Sequence, residues 1–495
     1  MRNKLIAAIN YKFLTIPVGA IIYFVLTTGG IYYLFRNWAY DDPFITYRYA
    51  QNIVNGLGFV YNPGERVLST TTPLFTLLLA ALSPLWNDLP RLANLIGAMS
   101  IALGALLLYW LANILDEPLV GWAGLLVYPT SPLLVSCLGS ETPLYIALCL
   151  ACFCFYWRSN YTLTAIFSAL TVLTRPDGVL VPILLATDYL LSQRRPILWK
   201  PVMIFCLLVL PWFIFSWVYF GSPIPATLAA KQHQGLMSIS QRFAAGFLTL
   251  IKAYYLTWYY AIQAGIACLG IIYMLLRSRR WLLFIAWPVL YFITFTFLGL
   301  TRYFWYYAPL LPGFVVLVGL GLTSIDWFIR RQLEKAYHPN LWTGSLPRLV
   351  IISLLVVPCI FQITHLKKIS ENRDPRYTIY RAIGNWLRDN SLPNTSIGTL
   401  EIGIIGYYAE RPIIDFAGLI QPEIASHLEY QTTYADAAKF AIKRFRPDYL
   451  VLHEGSFPDL ENGYVDQNCK IIQRFQGIDY NYGNNLVIYS CSRSQ

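Results

Sequence analysis

Long apolar stretches recur along the chain, separated by short polar or charged connections. Runs near 13–35, 91–114, 119–137, 143–157, 162–174, 178–192, 197–219, 255–276, 281–299, 305–329 and 348–365 approach the ~20 residues that an α-helix needs to cross a bilayer. They predict a polytopic α-helical membrane protein with about 11 transmembrane helices over residues 1–365. The segment 73–86 (PLFTLLLAALSPLW) is too short to cross, and predicts a re-entrant or interfacial helix behind a first outer loop at 36–72. After His365 the pattern changes. Tyr377–Leu387 and Tyr434–Phe445 have the periodicity of amphipathic helices, and Ile413–Phe416, Tyr449–Leu452 and Leu486–Tyr489 that of strands. Residues 366–495 therefore predict a small α/β domain.

Composition supports this division. The chain is 56% hydrophobic and 13% charged, where a soluble domain carries roughly 25% charged residues. The net charge of +11 is made up of +12 in the first 365 residues, beside the apolar runs, and −1 in the tail, which signals topology and not nucleic-acid binding. The first run, Phe13–Phe35, follows Arg2, Lys4 and Lys12 and lacks a small-residue cleavage site, so it predicts a retained span with a cytoplasmic N-terminus. Alternation then places Asp116–Glu117, Arg158, Ser192–Pro196 (with Arg194 and Arg195), Arg277–Arg280 and Arg330–Arg348 in the cytoplasm. All but the first are basic, as the positive-inside rule asks. The outer loops become Asp41–Thr72, Gly139–Thr142, Arg175–Gly178, Gly221–Gln234 and Thr301–Trp305, with the C-terminal domain extracytoplasmic. Short polar loops on one face imply a cavity, because irregular backbone at bilayer depth is tolerated only where it lines one. Cys137, Cys149, Cys152, Cys154, Cys206, Cys268 and Cys359 lie in or beside apolar runs and act as small hydrophobes. Cys469 and Cys491 lie in the polar tail and are candidates for a disulfide outside the cytoplasm. No GxxxxGK[ST] loop supports ATP-driven transport, and Gly56 and Gly58 lack the preceding strand and spacing of a dinucleotide site.

The first outer loop opens on adjacent acids, Asp41 and Asp42, and a further acid, Glu141, follows in the next outer loop. Ionisable groups at a membrane surface are costly and mark functional sites. The stretches DDPFITYRYAQNIVNGLGFVYNPGERV, SETPLY, TRPDG, RYFWYYAPLLPG and EIGIIGYYAERPIIDFAGL occur in that order. In this pattern the chain resembles the GT-C membrane glycosyltransferases that use polyprenyl-linked sugars. Within them it is most similar to the subgroup of terminal arabinofuranosyltransferases and their bacterial relatives. The resemblance implies transfer of a sugar from a polyprenyl phosphate to a glycan, glycolipid or protein acceptor outside a bacterial cytoplasmic (inner) membrane.

That chemistry assigns expected roles. Inverting transfer needs a base for the acceptor hydroxyl, and Asp41 or Asp42 is the candidate. An N-cap role before Pro43 suits Asp42, which favours Asp41 as the base. Glu141 is expected to orient the acceptor, bind a sugar hydroxyl or share a metal, its alternative being a helix-start carboxylate before Pro143. The leaving phosphate calls for positive charge. Arg302, set among aromatics, leads Arg175, Lys231, His233 and Arg48 for that part, while an ion pair with Asp177 is the plainer role for Arg175. Tyr303 and Trp305 flank Arg302, and Glu401 and Asp415 in the tail serve either the acceptor or the fold. Asp41, Asp42 and Glu141 also offer oxygen ligands suited to Mg, Mn or Ca, although arginine alone can neutralise a monophosphate, so no cofactor is required. A glycolipid transporter or flippase, or a non-catalytic glycan-assembly protein, is the alternative function. Transporters tend to show repeated halves, and no repeat is visible here.

Overall fold

The computed structural model describes residues 17–191, 196–335 and 342–491. The N-terminal cations Arg2, Lys4 and Lys12, and Arg194 and Arg195 of the expected cytoplasmic loop, lie outside these. The chain is a multi-pass helical membrane protein carrying a C-terminal sheet. In the order used below, helix α1 is Val18–Phe35, α2 Pro43–Val54, α3 Pro73–Leu82, α4 Leu89–Ile114, α5 Pro118–Leu126, α6 Pro132–Val135, α7 Thr142–Trp157, α8 Tyr161–Thr174, α9 Leu180–Leu191 and α10 Trp199–Phe220. Then follow α11 Ala226–Leu236, α12 Phe243–Tyr255, α13 Trp258–Arg277, α14 Leu282–Phe297, α15 Leu311–Lys335 and α16 Trp342–Glu371.

Seven helical stretches among the described residues are long and apolar enough to cross a bilayer. The sequence expectation of about 11 also counts shorter apolar runs, several of which are helices of 10–17 residues. The stretch 119–137 is not one helix: a turn from Val127 to Ser131, containing Pro129, interrupts it and leaves α5 and α6. Helices α7 and α8 run for 16 and 14 residues, about 24 and 21 Å at 1.5 Å per residue, short of the ~30 Å hydrocarbon layer. Helix α7 sits inside the bundle, with nearly every side chain buried. Helix α10, by contrast, exposes Met203, Leu207, Ile214, Trp217 and Val218 as a lipid-facing surface. Helices α11 and α12 were not expected from the sequence.

Small residues set the tightest helix contacts. A Cβ added at Gly321 of α15 would lie 1.9 Å from the Ile266 carbonyl oxygen of α13, and one at Gly270 of α13 would lie 1.9 Å from that of Leu317. Close backbone approach of this kind replaces the hydrophobic drive that helices lack in lipid.

The C-terminal segment holds α17 (Pro375–Asn390), β1 (Ile397–Thr399), α18 (Gly403–Ala409), β2 (Ile413–Asp415), α19 (Pro422–Ala425), α20 (Tyr434–Phe445), β3 (Tyr449–His453), β4 (Cys469–Phe475) and β5 (Leu486–Cys491). The sheet order is β2-β1-β3-β5-β4. Strand β1 pairs in parallel with β2 and β3, and β5 runs antiparallel to β3 and β4. Helix α20 starts at a full capping box between Thr433 and Asp436. A disulfide joins Cys469 to Cys491 across the β4–β5 edge.

Candidate active site

The site is built where the first loop meets both the bundle and the sheet layer. Trp38 donates its indole N–H to the Ser136 carbonyl (3.0 Å), and the Asn94 amide donates to the Trp38 carbonyl (2.9 Å). The chain then turns into α2, with Phe44 N–H on the Asp41 carbonyl and Ile45 N–H on that of Asp42. Neighbours in such a helical turn point about 100° apart, so the two acids face different partners.

Asp42 faces a cavity of about 430 Å³, lined also by Tyr40, Glu141, Arg175, Asp177 and Lys231, with Trp305 and Tyr306. Its carboxylate lies 3.4 Å from the Lys231 ammonium of α11. The ammonium is boxed by the rings of Tyr303, Tyr306 and Trp305, at 5.0, 5.5 and 5.8 Å from their centroids. Burial pulls the Lys231 pKa down, but the Asp42 charge and the phenols of Tyr306 and Tyr303 outweigh it and keep the group protonated. On the opposite wall the Arg175 guanidinium joins two acids, Glu141 at 3.1 Å and Asp177 at 3.0 Å. Burial pushes the Glu141 carboxyl upward against the opposing pull of Arg175. Thr46, Thr70, Thr71, Thr72 and Thr227 add a hydroxyl-rich wall. The Thr227 hydroxyl has no hydrogen-bond partner among the described residues.

The family models match only the C-terminal part: residues 362–489 fit a domain of unknown function (DUF8728). No curated protein matches the chain. Solved structures align along nearly all of it. ArnT from Cupriavidus metallidurans bound to undecaprenyl phosphate superposes with a TM-score of 0.63 at 14% identity, covering 96% of this chain and 98% of that one. Arabinofuranosyltransferase AftD from Mycobacteria gives 0.56 at 13% identity, covering 95% of this chain and 40% of AftD. The Archaeoglobus fulgidus oligosaccharyltransferase gives 0.54 at 14% identity, covering 87% of this chain and 65% of that one. The chain has the GT-C fold.

Within this GT-C framework, several expected site residues lie elsewhere. Asp42 makes no capping hydrogen bond at the head of α2, so the capping role that favoured Asp41 as base is corrected. Asp41 does not line the cavity. It turns to the tail, where its carboxylate accepts from the Gly403 and Ile404 amides at 2.9 and 2.7 Å. Arg302 also stays out of the cavity: it is exposed and donates to the Gln241 side chain at 2.6 Å. The aromatics around it serve Lys231, because the 3-10 turn Phe304–Tyr306 presents them to the opposite side. His233 contacts the Leu428 carbonyl at 3.0 Å. Arg48 is enclosed by carbonyls, donating to Gly406 at 2.7 Å, Arg411 at 3.2 Å and Tyr61 at 3.3 Å. Through these bonds it clamps the sheet layer onto α2. Glu141 makes no capping bond.

Asp415 organises its own loop, accepting from the amides of Ala417, Leu419 and Ile420; burial nevertheless pushes its carboxyl up to about 7. Among the described residues no three His, Cys, Asp or Glu side chains gather as a metal-holding group. Asp41 is taken by amides, Asp42 by Lys231 and Glu141 by Arg175. The oxygen set expected for Mg, Mn or Ca is thus not assembled among the described residues.

Glu401 lies beside Asp41, and burial together with that neighbouring charge pushes its carboxyl upward. The folded protein therefore holds a proton there that an unfolded chain releases near ~4.3. The resulting stability is complete below that value and is lost as pH rises through the elevated folded value. Glu401→Gln should flatten this decline between about pH 4 and 8 and raise the melting temperature above neutral pH. Melting curves as pH-dependent as those of the parent protein would refute the assignment.

Proposed function

We propose that the chain is an inverting glycosyltransferase that moves a sugar from a polyprenyl-phosphate donor to an extracytoplasmic glycan, glycolipid or protein acceptor. The observation that carries this is a single cavity holding a carboxylate, Asp42, against a lysine ammonium, Lys231, at the head of the membrane bundle. Asp42 takes the proton of an acceptor hydroxyl, whose oxygen attacks the anomeric carbon. The bond from that carbon to the phosphate oxygen breaks, and its electron pair leaves with the lipid phosphate. Lys231 stabilises the charge that develops there. Asp42 engages the Lys231 ammonium, so a lipid phosphate competes for it and frees the carboxylate to act as base. Arg175, already held by two acids, shapes the wall.

Contacts between loops support the expected alternation, and the charge of the loops supports a cytoplasmic N-terminus. Of the expected inner loops, Ser278 donates to Glu117 at 2.7 Å and Arg280 pairs with Asp116 at 3.8 Å. These lie at the far end of α4 from Asn94, which anchors the first outer loop. The basic inner loops then follow the positive-inside rule.

The test is transfer by purified protein from a panel of radiolabelled polyprenyl-phosphate sugars, with and without EDTA. Transfer of one sugar is expected, at a rate that EDTA leaves unchanged. Tight binding of a lipid-linked sugar without turnover would overturn the enzyme assignment and favour a flippase.

A further inference from the structure

Asp41 is a charged side chain beside the cavity that the chemistry above does not use. Its surroundings are built with care. Two amides of the sheet layer, from Gly403 and Ile404, close on its two carboxylate oxygens. The approach is close enough that a Cβ at position 403 would lie 2.0 Å from the Asp41 carbonyl oxygen and 2.6 Å from its Oδ2. The same carbonyl accepts the Phe44 N–H that starts α2. One turn on, Tyr61 donates to the Ile402 carbonyl at 2.6 Å, and a Cβ at Gly406 would lie 1.8 Å from the Tyr61 hydroxyl. Asn62 bonds both backbone groups of Ile413, donating to the carbonyl at 2.8 Å and accepting from the amide at 2.9 Å. The sheet layer thus holds the first loop at two places, at Asp41 and at Tyr61–Asn62.

We propose that the C-terminal layer is a positioning element of the active site: the amides of Gly403 and Ile404 clasp Asp41 and thereby fix the direction in which Asp42 enters the cavity. The inference rests on the glycosyltransferase assignment, and it gives the segment matched only by a domain of unknown function a specific task. Asp41 and Gly403 are positioning residues, acting through Asp42. Adjacent side chains share one backbone turn, so a displacement of the Asp41 carbonyl moves the Asp42 carboxylate with it. A misplacement near 1 Å can cost about 10²-fold in rate.

The experiment compares the full-length parent protein with Gly403→Ala, Asp41→Asn and the double variant in the sugar-transfer assay. Gly403→Ala should lower kcat by about 10- to 100-fold with little change in donor KM, because Lys231 is untouched. If Gly403 acts through Asp41, the double variant should be no slower than the slower single variant. Hydrogen exchange gives a readout independent of activity. The Phe44 and Ile45 amides should exchange faster in Gly403→Ala, while β1 and β3 remain protected. Parental kcat in both single variants, or multiplicative losses in the double variant, would overturn the inference. Failure of the parent to transfer any lipid-linked sugar would instead overturn the enzyme assignment, and the exchange result would still report on the clasp.

Discussion

Asp42→Asn should abolish most sugar transfer while leaving donor binding intact. General-base catalysis contributes roughly 10²- to 10⁴-fold, and a loss of kcat in that range is expected. The donor KM should not rise, because Lys231 then loses its carboxylate partner at 3.4 Å and faces the cavity unneutralised. This split separates the base from a binding residue, since loss of uniform binding raises KM without lowering kcat. Lys231→Ala should raise donor KM and lower kcat together, because the ammonium both holds the phosphate and stabilises the charge that develops on it. Steady-state kinetics on both variants decides the matter. A normal kcat in Asp42→Asn would remove this carboxylate from the chemistry.

The second large effect concerns stability. Arg175→Met should destabilise the protein by about 3–5 kcal/mol, the usual cost of leaving buried charge without its partner. The Arg175 side chain is 5% exposed, and its partners Glu141 and Asp177 are 14% and 11% exposed. Met fills similar volume, so the loss reports on charge and not on a void. Adding Glu141→Gln and Asp177→Asn to Arg175→Met should recover much of the stability, because a neutral buried cluster lacks the desolvation penalty. Apparent melting temperatures in detergent measure both variants. A single variant as stable as the parent would show that the triad is solvated.

Much of this architecture is legible in the chain. The paired acids, the apolar runs and the amphipathic helices of the tail all follow from local pattern. What local pattern cannot give is which way a residue faces. Asp41 and Asp42 are equivalent by composition, and only the turn of α2 assigns one to the cavity and one to the sheet layer. Arg302 has the aromatic company expected of an anion site, yet the 3-10 turn aims those rings at Lys231. Arg48 resembles a free cation until the carbonyls of Gly406 and Arg411 come to it from the distant tail. The short strand β1 and the mostly exposed edge strand β4 carry too little apolar alternation to stand out. The hydroxyl wall at Thr70–Thr72 lies inside the first loop motif, but hydroxyls give no charge signal by which to notice it.

The bond between Asn62 and Ile413 joins residues 351 positions apart, and that between Arg48 and Gly406 spans 358. During synthesis the first loop therefore emerges long before the segment that seats it. While the later helices are inserted, Arg48, Asn62 and the Asp41 carboxylate have water as their partner. The turn that carries the two acids acquires its final shape only when the last quarter of the chain has folded against it. A chain without this tail leaves the turn that carries Asp41 and Asp42 without the amides that hold it, and Arg48 without its carbonyls.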